Sequence, residues 1–305
     1  MSASDSGLLA RFGWPVVVFG VVGLLVGAAA APYAWNVATG PDGTVAVVEM
    51  HGTITGDTAT AAVDDLREAR TNESIRAVAL DVNSPGGSAA ASEQLYLAVK
   101  RTQRTMPVVA SVTGSAASGG YYTAAPADRI FVSPASSVGS VGVRALVPSQ
   151  GSPAGEITSG PDKASTGTET EVRRQVETLR RAFVGSVVEE REDSLELTAE
   201  ELSYAKLYSG SRSVEVGLAD EIGGVDAAIG EAADRADLAD YRTVRMESPE
   251  PSILGQLGLS SSADDSPTTE ATFEYAGVDT VQYLMLHGQL TAPAATEEVS
   301  ANATN

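Results

Sequence analysis

Two short glycine-bearing segments carry the chemical interest of this 305-residue chain. Asn83-Ser84-Pro85-Gly86-Gly87-Ser88 follows the apolar run Ala77–Val82, and Gly114-Ser115-Ala116-Ala117-Ser118-Gly119-Gly120-Tyr121-Tyr122 follows the run Val108–Val112. Each reads as a strand-to-helix turn, where unpaired backbone N–H groups and a helix dipole face whatever lies in front of them. One such segment alone is more often a simple turn. Two side by side would supply paired donors to an oxyanion, the species formed when a nucleophile adds to a carbonyl. Other chemistries find no foothold: the chain has no P-loop, no G-x-G-x-x-G after a strand, no H-E-x-x-H and no G-x-S-x-G. Zero cysteines removes disulfides, thiolate zinc sites and cysteine nucleophiles together. Two histidines, His51 and His287, are too few for a histidine-rich metal centre, so neither metal nor cofactor is expected. His51 ends the first predicted strand beside Gly52, and His287 lies in an apolar island near the C-terminus. Both read as satisfied or exposed side chains, so serine chemistry here would need a base other than histidine.

The elements that must position these turns alternate in type. Thr44–Met50, Ala77–Val82 and Val108–Val112 are rich in β-branched residues and predict buried strands, with further strands at Ile130–Val132 and Val141–Val143. Helical apolar spacing predicts helices over Ala59–Arg70, Ala89–Arg104 and Glu171–Arg191, the last with Val172, Val176, Leu179, Phe183 and Val187 along one face. Thr198 and Glu201 have capping-box spacing and open a further helix. Strand–helix alternation over residues 36–248 predicts an α/β domain with crossover connections.

Composition narrows the setting. Forty acidic against 20 basic side chains give a net charge of −20, which phosphate backbones would repel, so no nucleic-acid partner is expected. Lysine is scarce at three residues against 17 arginines, and this acid-rich, lysine-poor balance suits high salt, where charges are screened over a very short distance. Apolar residues at 43% suffice for a substantial core. No charge falls between Arg11 and Asp42, and Trp14 and Trp35 bracket the apolar stretch. After a short segment over 1–14, residues 15–35 therefore read as a transmembrane anchor, with a cleaved signal peptide as the alternative. Arg11 before it and Asp42 and Glu49 after it predict a single-pass cell-membrane protein with its main domain extracytoplasmic. The tail over 249–305 reads as a mostly disordered polar segment with an apolar island at 278–290, which either packs on the domain or reaches a substrate groove or neighbouring subunit.

At this point the motifs converge on a family. Ala117-Ser118-Gly119-Gly120-Tyr121-Tyr122 resembles the nucleophile segment of the signal peptide peptidase SppA family, membrane-anchored serine peptidases with a Ser/Lys dyad. Asn83–Gly87 is similar to its Pro-Gly-Gly turn, Ala127–Ile130 to a short strand segment, and Val138–Val143 to its Gly-Ser-x-Gly-Val stretch. Ser159-Gly160-Pro161-Asp162-Lys163 resembles the segment carrying the base, and Gly217–Gly223 the closing Gly-Leu-x-Asp motif. Together these cover about Thr44–Ala233 in the family's order. The resemblance implies a Clp-protease/crotonase-like spiral of strand-strand-helix units preceded by the anchor helix. It implies Ser118 as nucleophile, Lys163 as general base and Ser140 as the hydroxyl orienting that lysine. Gly119 and Gly87 would form the oxyanion hole, with Gly86 the alternative to Gly87. A free lysine has a pKa of ~10.4, so the mechanism requires burial that lowers it by about three units, near 4 kcal/mol. Lys100 and Lys206 lie outside the motifs and read as solvent-facing. The family's longer stretch before the base is here the breaker-rich Arg144–Gly155.

The implied substrates are remnant signal peptides or similar apolar membrane peptides, and the implied assembly is a homo-oligomer of eight subunits. A membrane peptidase that cleaves one specific membrane protein, such as a stomatin-like partner, stays open. So do a catalytically silent scaffold and an acyl-CoA-processing crotonase.

Overall fold

The computed structural model describes residues 18–29, 41–147, 168–246, 273–274, 281–288 and 290–291, in two units, Met1–Asp42 and Gly43–Asn305. The first unit contains helix α1 over residues 18–29. Its described residues, at 1.5 Å each, account for about 18 Å against a hydrocarbon core of about 30 Å. No helix among the described residues is long and apolar enough to cross a membrane. The expected transmembrane anchor over 15–35 is therefore overturned. The membrane-anchored function, the membrane as partner and the single-pass extracytoplasmic location fall with it.

The second unit is α/β with mixed sheets, and its order explains how the turns are held. Strand β1 (Gly43–His51) leads through α2 (Gly56–Thr71) to β2 (Ile75–Ser84) and the short β3 (Gly86–Ser88). Helix α3 (Ala89–Gln103), β4 (Val108–Ala117), α4 (Gly119–Ala124) and β5 (Arg129–Val132) follow. Next come β6 (Ser137–Gly139), β7 (Arg144–Leu146), α5 (Glu169–Glu190), α6 (Ala199–Ser203), β8 (Leu207–Ser209) and α7 (Gly210–Glu215). Strand β9 (Glu221–Ile222), α8 (Val225–Arg235) and β10 (Tyr241–Met246) complete the body, and β11 (Phe273–Glu274), β12 (Gln282–Leu286) and β13 (Leu290–Thr291) belong to the tail.

The main sheet runs β10-β1-β2-β4-β5-β9 with every neighbouring pair parallel. Parallel strands need both faces covered, and the side-chain alternation supplies two cores. Ala46, Val48, Val78 and Leu80 face a large core containing Leu66, Leu95 and Phe183, while Val45, Val47, Ala77 and Ala79 face Ala228, Ile229 and Ala232 of α8. Helix starts are set by side-chain caps. Thr55, Thr168 and Thr198 each close a capping box, with Thr58, Glu171 and Glu201 respectively. That cap starts α5 at Glu169, two residues ahead of the stretch read from its apolar face.

Strand β4 outruns its neighbours. Its first half pairs with β5 and its last three residues, Ser115–Ala117, pair with β6, which continues antiparallel to β8. Val141–Val143, expected as a strand, is instead the connection between β6 and β7. Ser140 has φ 54, a left-handed conformation that breaks an extended run before Val141. A separate three-stranded sheet places β12 between β3 and β7, antiparallel to both.

Candidate active site

Parallel pairing of β2 with β4 sets the two glycine-bearing turns beside each other at the carboxyl ends of their strands. Register slips between Val82 and Ser84, so Ser84 comes opposite Ala116. The packing there leaves no space for side chains. A Cβ on Gly120 would lie 2.5 Å from the Ser84 carbonyl oxygen, and one on Gly86 only 2.7 Å from the Gly119 nitrogen. Gly86 also has φ +94, a conformation that favours glycine.

Ser118 stands at the junction of β4 and α4 with φ 53 and ψ −116, and its residue is 1% exposed. A non-glycine residue in so sparsely populated a region costs about 1–3 kcal/mol and persists only where surrounding contacts impose it. The contacts are visible. Ser118 N–H donates to Gly139 O at 2.8 Å, its carbonyl accepts from Tyr122 N–H at 2.9 Å, and its hydroxyl donates to Gly142 O at 3.2 Å. Gly119, next in sequence, opens α4, so its N–H is one of those a helix leaves without an internal acceptor. On the facing turn, Gly86 N–H is taken by Ser84 Oγ at 3.1 Å, which favours Gly87 over Gly86 as a second donor. Gly87 bridges Ile54 on one side and pairs with Met285 on the other.

Ser140 follows the Gly139 carbonyl that holds Ser118. It is held in turn by donation from its N–H to Lys206 O at 2.8 Å. Its hydroxyl, expected to orient a lysine, is 3.1 Å from Nδ1 of His287. Burial, and then the nearby Arg144 guanidinium, hold the His287 imidazole below its ordinary pKa of 6.5. Thus Ser118, Gly119, Gly87 and Ser140 come together, whereas Lys163 lies outside the described residues. His51 is far from this role: its side chain is 45% exposed and its Nε2 sits 3.4 Å from Asp81 Oδ1. Lys206 is exposed, but Lys100 is not free in solvent. Its Nζ is 2.5 Å from Glu190 Oε1. Among the described residues no group of His, Asp or Glu is placed to hold a metal.

A buried scaffold behind the turn escaped the sequence reading. The hydroxyl of Tyr121, fully buried, donates to Leu218 O at 2.9 Å, and burial pushes its pKa upward. Tyr122 stacks on Tyr96 at 4.5 Å and leans on Phe183 at 4.6 Å. Two residues beyond Leu218, the Asp220 carboxylate accepts from Arg191 Nη2 at 2.6 Å, from Nη1 at 3.1 Å and from Ile130 N–H at 2.7 Å. The Gly217–Asp220 motif therefore anchors the first residues of α4 from below. Its polar letters were visible, but nothing in spacing connects Arg191 to Asp220. Nor did anything in the tail's apolar island single out Met285 or His287 as neighbours of this turn.

Comparison with known proteins gives the site a context. The family model described as peptidase family S49 matches residues 100–150, which include the Ser118 turn and Ser140. Protease 4 of Salmonella typhi is 28% identical over 240 residues, covering 70% of this chain and 38% of that protein. A putative protease of Methanocaldococcus jannaschii is 34% identical over 197 residues, 60% of this chain and 62% of its own length. A putative signal peptide peptidase SppA of Enterococcus faecium is 26% identical over 194 residues, 59% of this chain and 56% of its own. The chain thus spans less than two thirds of the length of these relatives. The matches support a hydrolase of protease type.

Proposed function

We propose that this chain, a homologue of the SppA/Protease 4 peptidases of family S49, is a serine endopeptidase with Ser118 as nucleophile and Lys163 as general base. The observation that carries the reading is Ser118 itself, a buried serine in a costly left-handed conformation, next to a helix-opening N–H and facing a second glycine turn. Strain of that kind at the junction of a strand and a helix is spent where geometry matters for chemistry.

In this reading Ser118 Oγ adds to the carbonyl of the scissile bond while its proton passes to the neutral Lys163 amine. Charge gathers on the former carbonyl oxygen, which Gly119 N–H and Gly87 N–H receive. Each donor of this kind is worth a factor of about 10²–10³ in rate. The lysine then gives its proton to the departing amine, and water, activated by the same base, hydrolyses the ester on Ser118. Ser140 would hold the amine in place. Substrates would be extended apolar peptides, because β3 and β7 already pair with an extended apolar strand, β12, whose Leu284, Met285 and Leu286 are buried.

A fluorophosphonate probe and a fluorogenic apolar peptide test this directly. Ser118→Ala should lose both labelling and hydrolysis. Lys163→Arg should lose hydrolysis, since a guanidinium stays charged at accessible pH. Turnover surviving in either purified variant refutes the assignment.

A further inference from the structure

The turn that carries Gly87 is held from behind by the piece of chain that follows β1. Ile54 N–H donates to Gly86 O at 2.9 Å, and Ile54 O accepts from Ser88 N–H at 2.8 Å. Gly87, between those two contacts, has no room for a side chain, because a Cβ there would lie 2.0 Å from Ile54 O. A trans peptide plane points its C=O and its N–H in opposite directions. With Gly86 O drawn to Ile54, the N–H of the same plane, that of Gly87, must face away from Ile54. Its direction is set by where residues 52–54 lie.

One side chain ties that segment to the turn. Ser84, 1% exposed, donates its hydroxyl to Gly52 O at 2.6 Å and accepts from Gly86 N–H at 3.1 Å. Its single hydrogen is committed to Gly52, so a lone pair is what it offers Gly86. Gly52 N–H in turn donates to Asn83 O at 2.9 Å, so residues 52, 83, 84 and 86 are linked to one another. The other side of Ser84 touches the nucleophile turn. A Cβ on Gly120 would lie 2.5 Å from the Ser84 carbonyl oxygen and 3.1 Å from its Cβ. Ser84 thus bears on both glycine turns.

We propose that Ser84 is a positioning residue for the oxyanion site, aiming the Gly87 N–H through Gly86 and the 52–54 segment. This rests on the serine-peptidase reading and deepens it. Without the hydroxyl, Gly86 N–H and Gly52 O lose this partner. The plane between Gly86 and Gly87 is flanked by two residues without a Cβ, so little else stops it from rotating. The donor then meets the developing oxyanion at a poorer angle, while the contacts that bind the rest of a peptide stay in place. A change of that kind lowers kcat and leaves KM alone.

In Ser84→Ala, kcat for a fluorogenic apolar peptide should fall about tenfold to a hundredfold, part of what a lost donor costs, with KM within about twofold. The Ki of a peptide aldehyde, which adds to Ser118 and sets its oxygen on the donors, should rise by the same factor. The matching peptide alcohol forms no oxyanion and should bind as it does to the wild type. An unchanged kcat, or equal weakening of aldehyde and alcohol, overturns the inference. Ser84→Cys keeps the size of the side chain and supplies only a weak donor and acceptor, so its kcat should fall between those of alanine and wild type. It decides the matter if the alanine variant fails to fold, and full kcat in the cysteine variant overturns the inference as well. Another arm does not depend on catalysis. Amide hydrogen exchange at Gly86 should be about tenfold or more faster in Ser84→Ala, with the amides of Val78–Val82 unchanged. Equal exchange at Gly86 overturns the inference. A wild type that hydrolyses no peptide, with this exchange difference intact, counts against the serine-peptidase reading alone.

Discussion

Arg191 and Asp220 form the sharpest test of how the site is supported. Arg191 is 5% exposed and its guanidinium forks onto the Asp220 carboxylate through two hydrogen bonds, while its Nε donates to Gly217 O at 3.1 Å. Asp220→Ala would leave that cation buried without its partner and strip the acceptor from Ile130 N–H. Breaking one side of a buried pair costs about 3–5 kcal/mol. For a domain of this size that lowers the melting temperature by roughly 6–20 °C, at about 2–4 °C per kcal/mol. The assay is thermal and urea unfolding at low and high salt, and the loss should persist at high salt because a buried pair is poorly screened. Adding Arg191→Met removes the stranded charge and should recover about 2 kcal/mol or more, a coupling that a double-mutant cycle reads directly. A cost below about 1 kcal/mol for Asp220→Ala, or strict additivity in the cycle, would refute the claim that this pair anchors the turn.

Other consequences follow from the same geometry. Tyr121→Phe leaves Leu218 O without its buried donor and should cost about 1–3 kcal/mol in urea unfolding, with a matching slowing of fluorophosphonate labelling at Ser118. Gly86→Ala puts a Cβ at φ +94 against the Met285 carbonyl and the Gly119 nitrogen, so labelling of Ser118 and peptide hydrolysis should both collapse. Thr198→Ala opens the capping box of α6 and should cost about 1 kcal/mol without changing KM, as steady-state kinetics on the variant would show. His287 is held below pKa 6.5 when the tail is docked, so the docked state carries fewer protons than the released one. Docking is then fully present above pH 6.5 and weakens as pH falls through and below that value. Hydrogen-exchange protection of the Tyr283–Leu286 amides should decline on acidification, and His287→Ala should abolish the decline.

Much of the architecture was legible because it is written in local periodicity. Val45–Val48, Ala77–Val82 and Val108–Val112 are buried on both faces, as β-branched runs of a parallel sheet must be, and the threonine–glutamate spacing at 198–201 marks a helix start through contacts only three residues apart. The stretch over 15–35 misled for a related reason. Hydropathy reports that residues avoid water, and no helix among the described residues is long and apolar enough to cross a membrane. Val141–Val143 misled because a single left-handed residue, Ser140, overrides β propensity on either side.

What the order of residues determined by itself was the set of parts: an acidic α/β chain without cysteine, two glycine turns following two buried strands, and a serine beside one of them. What only the folded chain decided was which distant groups meet at those turns. The strain at Ser118, the Arg191–Asp220 anchor, the capture of Ser140 by His287 and the seating of Met285 between Gly86 and Gly119 join residues separated by about twenty to nearly two hundred positions. Such pairings arise from sheet register and from the exclusion of water around buried polar groups, and neither is a function of spacing along the chain.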